Sequence, residues 1–261
     1  CSSDLMVEES REAIALAVNA DRNEVIFTSG GTESNNLAIK GLYWERNKNG
    51  ASRRKIVSAY TEHHAVIDAI EWLETHEGAE AIWVPVDHEG VVDFEWYRNF
   101  LAEHNEEIAL VTFMLANNET GVITELEKFL VLAKTHDIPS HSDAVAAFCH
   151  LQIDFHTLGL STIAISAHKV GGPVGVGALL VSRSTKITSL IQGGGQERGI
   201  RSGTLNAAGA KAFAFAANLA LKNMDAENQH TRKLVEQIKE TVMQQVSGAR
   251  FSRGNQPEIG R

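Results

Sequence analysis

Apolar positions along this chain change rhythm repeatedly. Short β-branched or apolar runs at residues 24–28 (EVIFT), 55–59 (KIVSA), 81–86 (AIWVPV), 108–115 (IALVTFML), 162–166 (TIAIS) and 177–182 (GALLVS) read as strands. Between them, residues 64–74, 94–104 and 125–136 space their apolar side chains as amphipathic helices do. From about Leu205 onward the pattern is largely helical. Continuous apolar strands interleaved with helices predict an α/β fold, a mainly parallel sheet flanked by helices on both faces. No repeat, low-complexity tract or Pro/Gly/Ser linker divides the chain, and its 4 prolines are scattered. The first residues read as a helix already under way and the last, QPEIGR, close no element, so both ends read as cut.

Composition narrows the function classes. With 43% hydrophobic and 22% charged residues over 261 positions, the chain has enough apolar material for a large core. A formal net charge of −9 repels phosphate backbones, so nucleic acid is an unexpected partner. No apolar run approaches the ~20 residues of a membrane helix, and the start lacks the basic and apolar regions of a signal peptide. Two cysteines, Cys1 and Cys149, give no disulfide framework. A reducing compartment, the cytoplasm by default, is expected.

Ligands of open α/β sheets bind beyond the carboxyl ends of the strands, and the polar motifs cluster there. FTSGGTESNN (27–36) ends a strand, turns on Gly30 and Gly31 and opens a helix at Thr32, which suits a phosphate cup as well as a simple capped helix. It is neither a Walker loop nor a dinucleotide fingerprint. SAHK (166–169) puts Lys169 just past a buried strand, where a lysine of altered basicity can form a Schiff base, although strand-end surface lysines are common. HSDA (141–144) offers Asp143 to a protonated ring nitrogen or merely as a helix cap. In TEHHAV (61–66) a metal reading of His63 and His64 with Glu62 and Asp68 is set aside, because no third histidine or cysteine sits at ligand spacing; stacking of an imidazole on an aromatic ring is the sharper option. LANNETG (115–121) and GGGQERGIRSGT (193–204) add amides and arginines at loops, the latter able to meet an anion or only to solvate a loop.

In this order the motifs resemble the cysteine desulfurases of the NifS/IscS group, within the class V aminotransferases. The resemblance runs from about residue 8 to 220. It implies the large domain of a pyridoxal-phosphate-dependent transferase of the aspartate aminotransferase-like fold over residues 1–220, and the helical start of a truncated C-terminal small domain over 221–261. It also implies roles: Lys169 holds pyridoxal 5'-phosphate, Asp143 pairs with the pyridine nitrogen, and His63 stacks on the ring and moves protons. Gly31, Thr32, Ser166 and His168 hold the phosphate. Asn118 lies near the ring hydroxyl or the substrate, and Thr204 reaches the phosphate of a neighbouring subunit in a homodimer. The implied reaction converts L-cysteine to L-alanine and an enzyme persulfide, whose sulfur goes to an acceptor or scaffold protein for iron–sulfur clusters or thiolated cofactors. A selenocysteine lyase, another class V aminotransferase, or a catalytically incomplete binding partner remain open. No metal site is implied.

The sequence departs from the family pattern in three places. Ala146 stands where a glutamine usually bonds the cofactor hydroxyl, and the family's loop cysteine and carboxylate-binding arginine have no counterpart before Arg261. Cys149, in AAFCH, reads as a buried structural residue rather than as the sulfur acceptor.

Overall fold

The computed structural model describes residues 2–50, 52–249 and 251. Cys1 and most of the last twelve residues of the expected 221–261 segment lie outside the described residues.

Seven strands form one sheet: β1 (Val25–Thr28), β2 (Lys55–Ser58), β3 (Glu80–Trp83), β4 (Ile108–Thr112), β5 (Ser140–Asp143), β6 (Thr162–Ser166) and β7 (Gly177–Val181), in the order β1-β7-β6-β5-β4-β2-β3. Pairs from β3 through β2, β4 and β5 to β6 are parallel, and β7 runs against both β6 and β1. The mainly parallel sheet read from the alternation of elements is therefore present.

Helices cover both faces, which is why the strands carry unbroken apolar runs. The period of two still sorts their residues. Val25, Phe27, Val111, Ile163, Ile165 and Leu180 join one core. Ile26, Ile56, Leu110, Ala164 and Leu179 face the opposite side. That opposite side is covered by α2 (Gly31–Asn47) and α3 (His64–Glu77), whose apolar Leu37, Ile39, Leu42 and Ile70 are completely or nearly completely buried. Burying a side chain of this size favours folding by about 1.5–3 kcal/mol before entropy is counted. On the first side lie α1 (Ser2–Ala17), α4 (Phe94–His104), α5 (Leu126–Thr135), the single turn α6 (Phe155–Leu158) and the first half of α7 (Ala207–Gln245).

Element ends follow local chemistry. The expected strand 81–86 stops at Trp83, two residues before Pro85, which has no N–H to give a ladder. The expected strand 108–115 is regular only to Thr112, yet Phe113 N and Leu115 N still donate to His141 O and Asp143 O. Helix α3 starts at His63, whose ring nitrogen caps Ala65 N, and stops at Gly78, whose φ of 67° admits the left-handed turn. Helix α7 is continuous through residues 220 and 221 for 39 residues, and its buried residues run only from Gly209 to Ala217. Among the described residues, no helix is long and apolar enough to cross a membrane.

Candidate active site

Five parallel-running strands deliver polar residues to one edge of the sheet. A cavity of about 210 Å³ opens there, lined by Gly31, Thr32, Asn35, His63, Ala65, Met114, Asn118, Asp143, Val145, Ala146, His168 and Lys169. Seven of the residues singled out from the sequence, namely Gly31, Thr32, His63, Asn118, Asp143, His168 and Lys169, thus share one cavity wall. Ser166 does not line it but stands directly behind, bonded through Oγ to His168 Nδ1 at 2.9 Å. Thr204 is elsewhere, in a separate cleft with Phe27, Ser29, Gly175 and Asn206.

At one end of the cavity is the start of α2. Gly30 has φ 152°, a conformation that costs glycine little. Gly31 packs so closely that a Cβ there would lie 2.6 Å from Val145 Cγ2. The turn is clamped from outside: Glu33 accepts Ser29 N at 2.7 Å and is held by Arg201 Nε at 2.7 Å. Burial raises the Glu33 carboxyl, but the Arg201 and Ser29 contacts outweigh it and leave its pKa below the usual value. Arg201 is therefore spent on the protein rather than offered to a ligand. Glu197, in the same glycine-rich loop, anchors it to α1 and β1, accepting Arg11 Nη1 and Nη2 at 2.7 and 2.6 Å and Phe27 N at 2.6 Å.

In the same wall sits Asp143, 5% exposed. Its Oδ1 accepts Val145 N at 2.9 Å and its Oδ2 accepts Asn35 Nδ2 at 2.6 Å. Burial pushes its pKa up; these two bonds and the neighbouring His63 and Lys169 pull against that without cancelling it. A buried carboxylate so placed lacks a directly bonded cation and would be relieved by one. Beside it, Glu62 is buried, accepts Met114 N through Oε1, and leaves Oε2 without a partner. Burial, then the nearby Asp143, drive the Glu62 pKa well above the usual range.

His63 Nδ1 accepts Ala65 N at 3.0 Å, which leaves Nε2 as the nitrogen available to the cavity. Lys169 stands on a one-turn 3-10 helix, Ala167–Val170, and has no hydrogen bond or ion pair among the described residues. The His168 pKa is lowered by burial and then by Lys169, so its ring favours the neutral form. In the NNETG loop the two amides divide the work. Asn117 stabilises the loop, giving Nδ2 to Thr61 O and accepting Glu119 N and Thr120 N, and Asn118 faces the cavity. His64 turns outward onto Asp68. Cys149 is 4% exposed, and burial pushes its thiol up to about 12. At neutral pH it is a packed thiol and not a nucleophile.

The donor set fits pyridoxal phosphate: helix-start N–H groups for the phosphate, a free amine, an imidazole, and a buried carboxylate short of a cation. Sequence reasoning missed Asn35, His141 and the burial of Glu62. Asn35 had a signal, because it follows Gly31 by four residues and so shares its helix face.

A profile of the class-V aminotransferase family matches residues 3–258. An IscS-like cysteine desulfurase of Mycobacterium tuberculosis is 43% identical over 251 residues, 96% of this chain and 64% of that protein. The solved structure of a NifS-like protein superposes with a TM-score of 0.92 at 31% identity, over 99% of this chain and 69% of the other. That of SspA in complex with cysteine gives 0.80 at 30% identity, over 96% and 69%. The chain spans roughly three-fifths of the length of the curated relatives it matches, 64% and 56% in two cases.

Proposed function

The chain belongs to the class-V aminotransferase family, whose cysteine desulfurases use pyridoxal phosphate, and we propose that it is the cofactor-binding part of such a desulfurase, acting on L-cysteine. The observation that carries this is the convergence of Lys169, Asp143 and His63 with the start of α2 in one cavity.

When bound, pyridoxal phosphate supplies an electron sink for bond breaking at an amino acid's carbon atoms. The N–H groups of Gly31 and Thr32, aided by the helix dipole, would bind its phosphate. His168, tied to Ser166 Oγ, would add a hydrogen bond there rather than a charge. Asp143 would keep a proton on the ring nitrogen, and Glu62, its pKa raised by burial and by Asp143, would be readier to hold its own proton. Lys169 Nζ would hold the group covalently. His63 would lie against the ring and move a proton at Nε2, since its Nδ1 is occupied by Ala65 N. Asn118 would hydrogen-bond near the ring hydroxyl or the substrate. A second copy of the chain would complete the site by bringing its Thr204 to the phosphate, and a sulfur-acceptor or scaffold protein would take the product sulfur. A cytoplasmic location accords with Cys149 remaining a free, buried thiol.

Cys149 favours a second reading beside this one, that the polypeptide binds cofactor and substrate without itself taking the sulfur: its burial and raised pKa remove it as acceptor. Titrating cofactor-loaded protein with L-cysteine and, separately, L-alanine tests the substrate. L-cysteine should change the cofactor spectrum and, with an added thiol acceptor, yield alanine. A spectral change without alanine supports the second reading. A loaded protein whose spectrum ignores L-cysteine sinks the desulfurase assignment while sparing the cofactor.

A further inference from the structure

Behind Asp143 lies a buried polar row that the proposed reaction does not use. Asn35 Nδ2 donates to Asp143 Oδ2 at 2.6 Å, and its Oδ1 is 3.0 Å from His141 Nε2. On the far side of the ring, His141 Nδ1 is 2.9 Å from Thr162 Oγ1. All four residues are at least 95% buried: Asn35 and His141 are 1% exposed, Thr162 0% and Asp143 5%. Burial holds His141 neutral, with its pKa pushed down to about 3. A neutral imidazole has one donor nitrogen and one acceptor nitrogen, so each link dictates the next.

A carboxylate at Asp143 can only accept. The Asn35 amide must then turn Nδ2 toward it and Oδ1 toward His141. That oxygen in turn requires a proton on His141 Nε2, which leaves Nδ1 to accept the Thr162 hydroxyl. Every hydrogen bond in the row then points toward Asp143. Were Asp143 protonated, the same four groups would be satisfied with every bond reversed, the amide flipped and the proton moved to His141 Nδ1. With Nδ2 toward Asp143 and Oδ1 toward His141, the amide stands as the carboxylate form requires.

We infer that Thr162, His141 and Asn35 form a directional hydrogen-bond row that holds Asp143 as an ionised carboxylate aimed at the cofactor site, with His141 as its positioning residue. This rests on the proposed cofactor reading for what Asp143 faces, but the row itself exists without the cofactor. Polarised hydrogen bonds in low dielectric reinforce each other, so the far end of the row matters to the near one. The other titratable groups facing Asp143 are His63, Lys169 and Glu62; the first two favour its charge, and Asp143 in turn raises the Glu62 pKa.

The test combines a tautomer measurement with two variants. In histidine-labelled protein, nitrogen NMR should show His141 as the Nε2–H tautomer when pyridoxal phosphate is bound. His141→Gln keeps a terminal N–H for Asn35, and His141→Leu removes it. The Leu variant should bind pyridoxal phosphate about tenfold more weakly and alter the pH dependence of its absorbance, and the Gln variant should recover most of both. An Nδ1–H tautomer in loaded protein overturns the inference, as does a folded Leu variant with unchanged affinity and spectrum. If the Leu variant does not fold, the tautomer and the Gln variant still decide. Failure of the cofactor reading looks different: the unmodified protein would then form no borohydride-reducible band on Lys169 at all.

Discussion

Replacing Asp143 by Asn should move stability and cofactor affinity in opposite directions. The substitution keeps size and shape, lets the side-chain oxygen still accept Val145 N, and sets an amide N–H against Asn35, which the row meets by reversing, with Asn35 Oδ1 turned to residue 143 and the His141 proton on Nδ1. It removes a charge from a position 5% exposed, where burial raises the native pKa of the carboxyl above its ordinary value. Because the native pKa lies above the unfolded one, the charged form costs stability. That cost is absent below the ordinary carboxylate pKa and grows as pH rises through the native one. Two hydrogen bonds already offset much of the desolvation. The gain from neutralising the group is therefore modest, about 1 kcal/mol at neutral pH. In cofactor-free protein, urea unfolding at pH 7.5 (roughly neutral) should find Asp143→Asn as stable as the parent or more so, with the advantage vanishing in acid. The same change should leave the ring nitrogen without its anion. Losing one partner of a buried charge pair costs about 2–5 kcal/mol, or roughly 30- to 5,000-fold in pyridoxal phosphate affinity, read by absorbance titration. A variant that loses stability at neutral pH yet binds the cofactor unchanged would refute the reasoning on both counts.

Other outcomes follow from the same geometry. Arg11→Met strands Glu197, whose side chain is 1% exposed and bonded to both terminal guanidinium nitrogens, and should lower unfolding free energy in urea by about 3–5 kcal/mol; a loss under 1 kcal/mol (roughly the surface-pair range) would contradict this. Cys149, its thiol raised to about 12 by burial, should resist thiol-specific reagents in native protein and react promptly in urea. Ala146→Gln, which places an amide on the cavity wall, should slow cofactor loss about tenfold and shift the pH midpoint of the cofactor absorbance. If the off-rate is unchanged, the hydroxyl of the cofactor does not lie beside residue 146.

Much of the fold was legible because burial on both faces of the sheet leaves unbroken apolar runs, and strands β1, β2, β6 and β7 were found within a residue of their ends. Strand β5 was harder. Its residues are Ser, His, Ser and Asp, all buried, and polarity hides a strand from any hydrophobic pattern. For His141 and Asp143 what makes that burial tolerable is supplied from afar, by Asn35 on α2 and Thr162 on β6. The site was legible as motifs at strand ends, since chain order brings TSGG, TEHH, NNETG, HSDA and SAHK to one edge of the sheet. The roles of Arg201 and Glu197 were not, because their partners, Glu33 and Arg11, lie 168 and 186 residues away. Glu62 was passed over for its histidine neighbours; its partner Met114 N and its neighbour Asp143 lie far along the chain and leave no local signature.

The most direct test is to incubate the chain with pyridoxal phosphate, reduce it with borohydride, digest it and locate the modified residue by mass spectrometry. The label should fall on Lys169 alone, and Lys169→Ala should lose both the label and the yellow absorbance while remaining folded. A label spread over surface lysines, or a protein that stays colourless with the cofactor present, would contradict a cofactor site built on Lys169 and Asp143.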